Sequence, residues 1–247
     1  MTIVADKMFL VLDSIANDDQ DAVGLARLTK ETNVPKATLY RLLCDLVGAG
    51  VVDHGPGGYS LGARLFELGN AVPRYRQLRM AAVPHLEALH QQTSETVHMA
   101  AVQNEHLVLV EKLHASHRVR IPTRVGMQLP LHSTALGKVA LANLPRPVLH
   151  RAISTNLRPV TQRTLCAPGL LQRQIDQCSS DGFAVECEET FAGVGCLAAP
   201  VLTADGALAG ILSVSGDPRT RRAASLIKRL HNAADAISRD LASRLTA

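Results

Sequence analysis

The chain has 247 residues, 47% of them hydrophobic and 19% charged, which excludes a compositionally disordered polypeptide and leaves room for two ordinary domains or one large one. Aromatic residues make up 3% and tryptophan is absent, so the core must rest on Leu, Val, Ile and Ala. The net charge of +4 is unevenly placed: residues 1–65 hold six Lys/Arg against eight Asp/Glu, and the remainder twenty against fourteen. A nucleic-acid reader is usually basic, so any such role for the N-terminal third must rest on local placement of cations, not on bulk charge. No stretch reaches the roughly 18 apolar residues of a membrane span. The opening MTIVADKMFLVLDSIANDD carries acids inside its apolar run and lacks a basic leader, so it reads as an amphipathic helix. The five cysteines (44, 166, 178, 187, 196) are odd in number and form no C-x-x-C, which fits a reducing, cytoplasmic setting.

In chain order, residues 5–17 place Met8, Leu12 and Ile15 at helical spacing, and 23–31 form a short helix with Leu25 and Leu28 apolar. Thr32, Asn33 and Val34 make a break, and Pro35 suits the first position of a third helix. In that helix Leu39, Leu42, Leu43, Leu46 and Val47 form an apolar stripe, while Lys36, Ala37, Tyr40, Arg41 and Cys44 fall on another face. Gly48 and Gly50 end it, and VVDHGPGGYSL reads as strand, turn, strand. Helix, helix, turn, helix and hairpin make a winged helix-turn-helix. A recognition helix needs an apolar inner stripe and a sterically modest polar start. Lys36 and Arg41 can reach phosphates or guanine edges. The expected DNA-contacting residues are Pro35, Lys36, Ala37, Thr38, Tyr40 and Arg41, with His54 and Tyr59 in the wing. An ordinary three-helix cap with a solvated face is the plainer alternative.

Residues 62–93 read as a helix, a break near Pro73 and a longer helix, with Leu65, Leu68, Leu86 and Leu89 as apolar contacts; the linker is placed here. The period then changes. TVHMAAVQ and HLVLVEKL are strand-like with a turn at 104–105, and RVRIPTRVG is another extended run. Residues 133–143, 145–153 and 169–180 read as helices, with Ser133 or Thr134 starting the first. GFAVECEE, CLAAPVLT and ALAGILSVS are strands, TADGA is a hairpin turn, and a helix follows from Arg219 with Leu226, Ile227, Leu230, Ala234, Ile237 and Leu241 on one side. A mixed antiparallel sheet with flanking helices is an α+β sensor architecture. Strands around 94–125 and 183–215 could enclose a small pocket.

The stretches VPKATLYRLLCDLVGAGVV, YSLGARLFELG, PHLEALHQQTSETVHMA, RVGMQLPLHSTALGKVALA, DGFAVECEETFAGVGCLAAPV and LAGILSVSGD together resemble the IclR family of bacterial transcription regulators, in the family's order and over about residues 5–245. The resemblance implies a winged helix-turn-helix domain (residues 1–66), a linker helix region (67–93) and a GAF-like α/β effector-binding domain with an antiparallel sheet (94–247). It implies a homodimer or dimer of dimers on palindromic double-stranded operator DNA, controlled by a small organic acid such as a keto acid, a glyoxylate-like acid or an aromatic carboxylate, with a catabolic operon as target. It also implies the effector contacts: Gly126 and Met127 before a helix, Glu186 where many members carry Asp, Val194 and Cys196 in GVGC, and Ser213 and Ser215 in LSVS. Backbone N–H groups near a helix start and two hydroxyls can hold a carboxylate, and apolar walls hold the rest of a small ligand. The sequence departs from the family at Ser133, where Cys is frequent, at Ser94, where Gly is frequent, at Glu186, one methylene longer than Asp, and before Gly182, where an Arg is often found.

Other readings are weaker. Cys196 as a nucleophile would need a base that no signature places, and His98 and His132 lack metal-ligand spacing, so no catalytic residue, metal or cofactor is expected. The acids Glu186, Glu188 and Glu189 read as a solvated strand end. RTRR at 219–222 reads as a solvated helix start or inter-subunit patch, and Arg118, Arg120 and Arg124 as a face turned mostly to solvent. A small-molecule enzyme or ligand carrier with a helical dimerisation cap is the competing class, and a DNA-binding scaffold without effector the third.

Overall fold

The computed structural model describes residues 4–103, 106–115, 119, 121–154, 157–220 and 223–245. The chain divides into two compact units, Met1–Pro73 and Arg74–Ala247. In the first, α1 (Val4–Asn17), α2 (Leu25–Thr32) and α3 (Lys36–Gly48) precede a hairpin of β1 (Val52–Gly55) and β2 (Gly58–Leu61), then α4 (Ala63–Asn70). Asn33 ends α2 in the left-handed region (φ 56°), its N–H donating to the Thr29 carbonyl. Asn tolerates that conformation better than most residues. Pro35, with extended ψ of 134°, is the cap just before α3, one place earlier than the sequence suggests. It cannot continue α2 and it pre-sets the chain for α3.

Leu39, Leu42, Leu43 and Leu46 of α3 are buried, as their spacing requires, but Val47 is 37% exposed and leaves the stripe. Three of these leucines (39, 43 and 46) join Val11, Ile15, Val23, Leu28 and Val52 in one core. The hairpin is tied to the helices by Val23 and Tyr59, which exchange two backbone hydrogen bonds of 2.8 and 2.9 Å. Gly58 makes that approach possible: it has φ +120°, and a Cβ there would sit 2.5 Å from the Val23 carbonyl oxygen. No residue of α4 is buried, so Leu65 and Leu68 do not supply the core contacts their spacing suggests.

The second unit is a six-stranded sheet with every pairing antiparallel, in the order β5-β4-β3-β8-β7-β6. Its strands are β3 (Thr96–Gln103), β4 (His106–Leu113), β5 (Gln128–Leu129), β6 (Ala184–Cys187), β7 (Gly195–Leu202) and β8 (Leu208–Gly216). Helices α5 (Pro73–Thr93) and α9 (Ala224–Leu245) pack on one face through Leu78, Leu86, Leu230 and Ile237. On the other face lie α6 (Ala135–Ala142), α7 (Arg146–Ser154) and α8 (Pro168–Asp181). Both faces are therefore covered. This is why β3 and β8 read as near-continuous apolar runs, without the alternation of a half-exposed strand.

Residues 67–93 divide unequally: α4 ends within them, and α5 buries Leu78, Ala81, Ala82, Leu86 and Leu89. The extended run expected at 118–126 forms no ladder over its described residues, and the neighbour of β4 on the side away from β3 is the short β5 that follows. The turn expected at 104–105 lies outside the described residues, as do Arg118, Arg120, Arg221 and Arg222. Arg219 forms a bidentate pair with Asp217 in a single 3-10 turn, and α9 starts only at Ala224.

Candidate DNA interface and effector cavity

The outward face of α3 presents Lys36, Ala37, Tyr40, Arg41 and Cys44, all exposed, with Thr38 half-buried. Burial of the leucine stripe dictates this orientation, because residues three and four apart share a face. Among the described residues neither Lys36 nor Arg41 makes an ion pair. Two of the unit's acids are held away from that face: Arg27 binds Asp18 at 2.7 Å and Glu31 at 2.9 Å, and Ser14 donates to Glu31 at 2.6 Å. The acidic sum of the N-terminal third therefore does not describe α3. His54 is exposed at the hairpin and stacks on Tyr59 with ring centroids 4.4 Å apart. Tyr59 itself corrects the sequence reading. It is 7% exposed and part of the core, so its ring supports His54 instead of facing a groove.

The second site forms where the sheet meets α6. Strand register places Glu186 opposite Cys196 and Cys196 opposite Ser215; in the next row Ala198, Ser213 and His98 are neighbours. Side chains two apart in a strand share a face, so Glu186, Cys196, Ser213, Ser215 and His98 converge. Around them close Ile121, Thr123, Leu129, Thr190, Phe191 and the first turn of α6 at Thr134–Leu136, leaving a cavity of about 20 Å³. That is room for about one water. Thr134 caps α6, its hydroxyl accepting from the Gly137 N–H at 2.9 Å. Gly137 lets the helix approach, since a Cβ there would lie 2.2 Å from the Leu131 carbonyl oxygen.

The walls are pinned from outside. Lys112 Nζ donates to the carbonyls of Ile121 and Thr123 at 2.8 and 2.7 Å, and Thr123 Oγ1 lies 2.9 Å from His98 Nε2. Hydroxyls of Thr161 and Thr164 donate to the carbonyls of Glu188 and Glu189 at 2.7 and 2.6 Å. Thr190 donates to the Ser133 carbonyl at 2.7 Å. Glu188 sits at φ 59°, a conformation non-glycine residues rarely adopt, and accepts from the Gly193 N–H at 2.8 Å.

Electrostatics inside are unusual. Burial, then Lys112 and His114, pushes His98 down to about 3, so it is neutral near pH 7. Burial pushes the Glu186 carboxyl up to about 7, although Cys196 and the Glu189 N–H, 2.9 Å from its Oε2, bond to it. Lys138 of α6 is fully buried and pairs with Glu189, whose carboxyl is raised by burial and drawn back by the lysine. Cys178 behind them is raised to about 11 by burial and stays a thiol. Ser213 Oγ is buried against the cavity without a hydrogen-bond partner.

Of the expected effector residues, Glu186, Cys196, Ser213 and Ser215 line this cavity, and Gly126, Met127 and Val194 do not. The peptides of Gly126 and Met127 are engaged by the β4 edge: the Gly126 N–H donates to Leu109 at 2.8 Å and the Met127 carbonyl accepts from it at 3.0 Å. The Met127 side chain packs into the apolar cluster beneath. Val194 closes the 188–194 loop, its carbonyl accepting from Glu188 at 2.7 Å. The sequence reading missed His98 as a wall residue, along with Thr123, Thr190 and Phe191. The one local signal for His98 was a histidine inside an otherwise apolar strand. Among the described residues no group of His, Cys, Asp or Glu could hold a metal, and no helix is long and apolar enough to cross a membrane.

A winged helix-turn-helix unit followed in the chain by an α/β unit with a small cavity between its sheet and α6 defines a class, the DNA-binding regulator with a sensor unit. The IclR helix-turn-helix domain matches residues 4–56, and the domain described as "Bacterial transcriptional regulator IclR C-terminal" matches residues 71–239. The chain is 30% identical to the HTH-type transcriptional regulator KdgR of Escherichia coli K12 over 94% of its length and 90% of that regulator. It is also 30% identical to the glycerol operon regulatory protein of Streptomyces coelicolor over 89% of each chain. Among solved structures it resembles the Thermotoga maritima IclR (28% identity, TM-score 0.76, 96% and 98% covered). An IclR homolog of Microbacterium hydrocarbonoxydans, complexed with 4-hydroxybenzoate, shares the fold (24% identity, TM-score 0.88, 96% and 98% covered). The chain belongs to the IclR family of bacterial transcriptional regulators.

Proposed function

We propose that this regulator binds palindromic operator DNA as a homo-oligomer and that a small organic acid in the α6–sheet cavity sets its DNA affinity. One observation carries the DNA reading: α3 buries four leucines and turns Lys36, Tyr40 and Arg41 outward from a start that has no acidic side chain. Small Ala37 and Thr38 let its backbone come close to a groove, with Pro35 at its mouth. His54 on the wing reaches the neighbouring phosphates. Two copies read two half-sites. Exposed apolar side chains on α1 and α4, notably Phe9 (65%) and Phe66 (73%), support pairing of this unit with a second copy.

Support for the effector reading is the unpartnered Ser213 hydroxyl facing the cavity, beside Ser215 and the N-terminal turn of α6. Gly126, Met127 and Val194 act as its frame, not as contacts. A cavity of about 20 Å³ must widen to admit an acid. The ligand acts only through its preference for one arrangement of the protein over another. Substitution of Arg41 by Ala tests the reading. Loss of operator binding with acid binding intact supports the regulator, and unchanged operator binding removes α3 as the reader.

A further inference from the structure

Three buried ionisable side chains lie near the cavity: Glu186 on its wall, Glu189, whose backbone N–H donates to Glu186 Oε2, and Lys138, paired with the Glu189 carboxylate. The lysine is committed to Glu189, so Glu186 is the carboxyl without a cation of its own. The groups around Glu186 bring none closer. Cys196 faces it from β7, neutral His98 and Ser215 from β3 and β8, and Cys178 and Asp181 lie on α8, which packs on β6. Among the described residues lining the cavity there is no Lys or Arg. Two anions, a ligand carboxylate and the Glu186 carboxylate, cannot share such a dry space, because charge repulsion is weakly screened there.

We infer that Glu186 determines the specificity of the cavity by admitting a carboxylate only together with one proton. The inference rests on the organic-acid reading above. The proton comes from solvent and stays on Glu186. The neutral carboxyl then donates its O–H to the entering ligand, and Glu186 Oε2 keeps the Glu189 N–H. The rise of the Glu186 carboxyl toward neutrality is what burial does to a group placed this way.

The test is isothermal titration of the full-length protein with pyruvate and with 4-hydroxybenzoate, in two buffers of different ionisation enthalpy, from pH 5.5 to 8.5. Below pH 6 the wild type binds with little proton uptake. Above pH 7 uptake approaches one proton per site and Kd rises, nearing about tenfold per pH unit. Glu186→Gln takes up none, keeps a flat profile and binds the acid tighter than wild type at pH 8.5. Binding with no uptake and a flat wild-type profile overturns the inference and leaves the effector reading standing. Uptake that persists in Glu186→Gln overturns the assignment to Glu186. Failure of both acids to bind either protein at pH 5.5 removes the effector reading, and the inference with it. Even if the variant folds poorly, the wild-type titrations decide whether an acid binds and whether a proton is taken up with it.

Discussion

The two units put their candidate functional residues in opposite places. The N-terminal unit buries its leucines and leaves Lys36, Tyr40 and Arg41 exposed to water. The C-terminal unit turns Glu186, Ser213 and Ser215 inward, each no more than 2% exposed, into a space the size of a water molecule. Polar residues on a surface cost the fold little. Polar residues in a core must be paired or they destabilise it. One unit can therefore lose its working residues and keep its fold, while the other should change stability whenever its working residues change.

The sharpest break in that comparison is Lys138→Met. It leaves Glu189 buried without its cation, and loss of one partner of a buried pair costs about 3–5 kcal/mol. Denaturant unfolding followed at the C-terminal unit should show it, and adding Glu189→Leu should return most of the loss. A variant as stable as wild type would mean the pair is not buried as described.

Next is the effect of pH. Glu186 moves from the ordinary 4.5 to about 7 on folding, so its contribution is full below 4.5 and is lost as pH rises through about 7. His98 moves from 6.5 to about 3, so its contribution is present above 6.5 and is lost as pH falls through about 3. Between pH 4.5 and 6.5 the two slopes oppose and nearly cancel. Glu186→Gln should gain about 3 kcal/mol over wild type at pH 8. It should also uncover the His98 slope, losing about 1.4 kcal/mol more per pH unit than wild type as pH falls below 6.5. Parallel stability curves for the two proteins would contradict this.

Arg41→Ala should weaken specific DNA binding by about 1–3 kcal/mol. Thermal unfolding should barely change, because Arg41 is exposed and makes no ion pair among the described residues. A large drop in melting temperature would place Arg41 in the fold. The smallest effect is expected at His54→Ala, a loss of under about 1 kcal/mol spread evenly over operator and scrambled DNA, as for a phosphate contact.

How far the sequence could be read follows the same division. The helices and hairpin of the first unit were legible because burial there follows local periodicity. Val47 failed because α3 ends one residue later and leaves the core. Tyr59 failed because its partner, Val23, is remote in sequence, and strand alternation alone does not say which face is inside. In the second unit the strands and helices were legible, but the cavity was only half so. His98 and Ser215 meet from 117 positions apart, and only the pairing of β3 with β8 brings them together. Gly126, Met127 and Val194 lie near the cavity in sequence terms, yet their backbones are consumed by the β4 edge and the 188–194 loop.

The central claim is that α3 reads an operator under control of the buried cavity. The most direct measurement is selection of bound fragments from the source genome, followed by fluorescence anisotropy on the best fragment and a scrambled copy at equal salt, with and without pyruvate and 4-hydroxybenzoate. The account predicts a preferred palindromic fragment, lost in Arg41→Ala, and an affinity shifted by an acid, a shift that Glu186→Gln keeps and makes independent of pH. Equal, weak binding to every fragment, untouched by either acid or by Arg41→Ala, would contradict it.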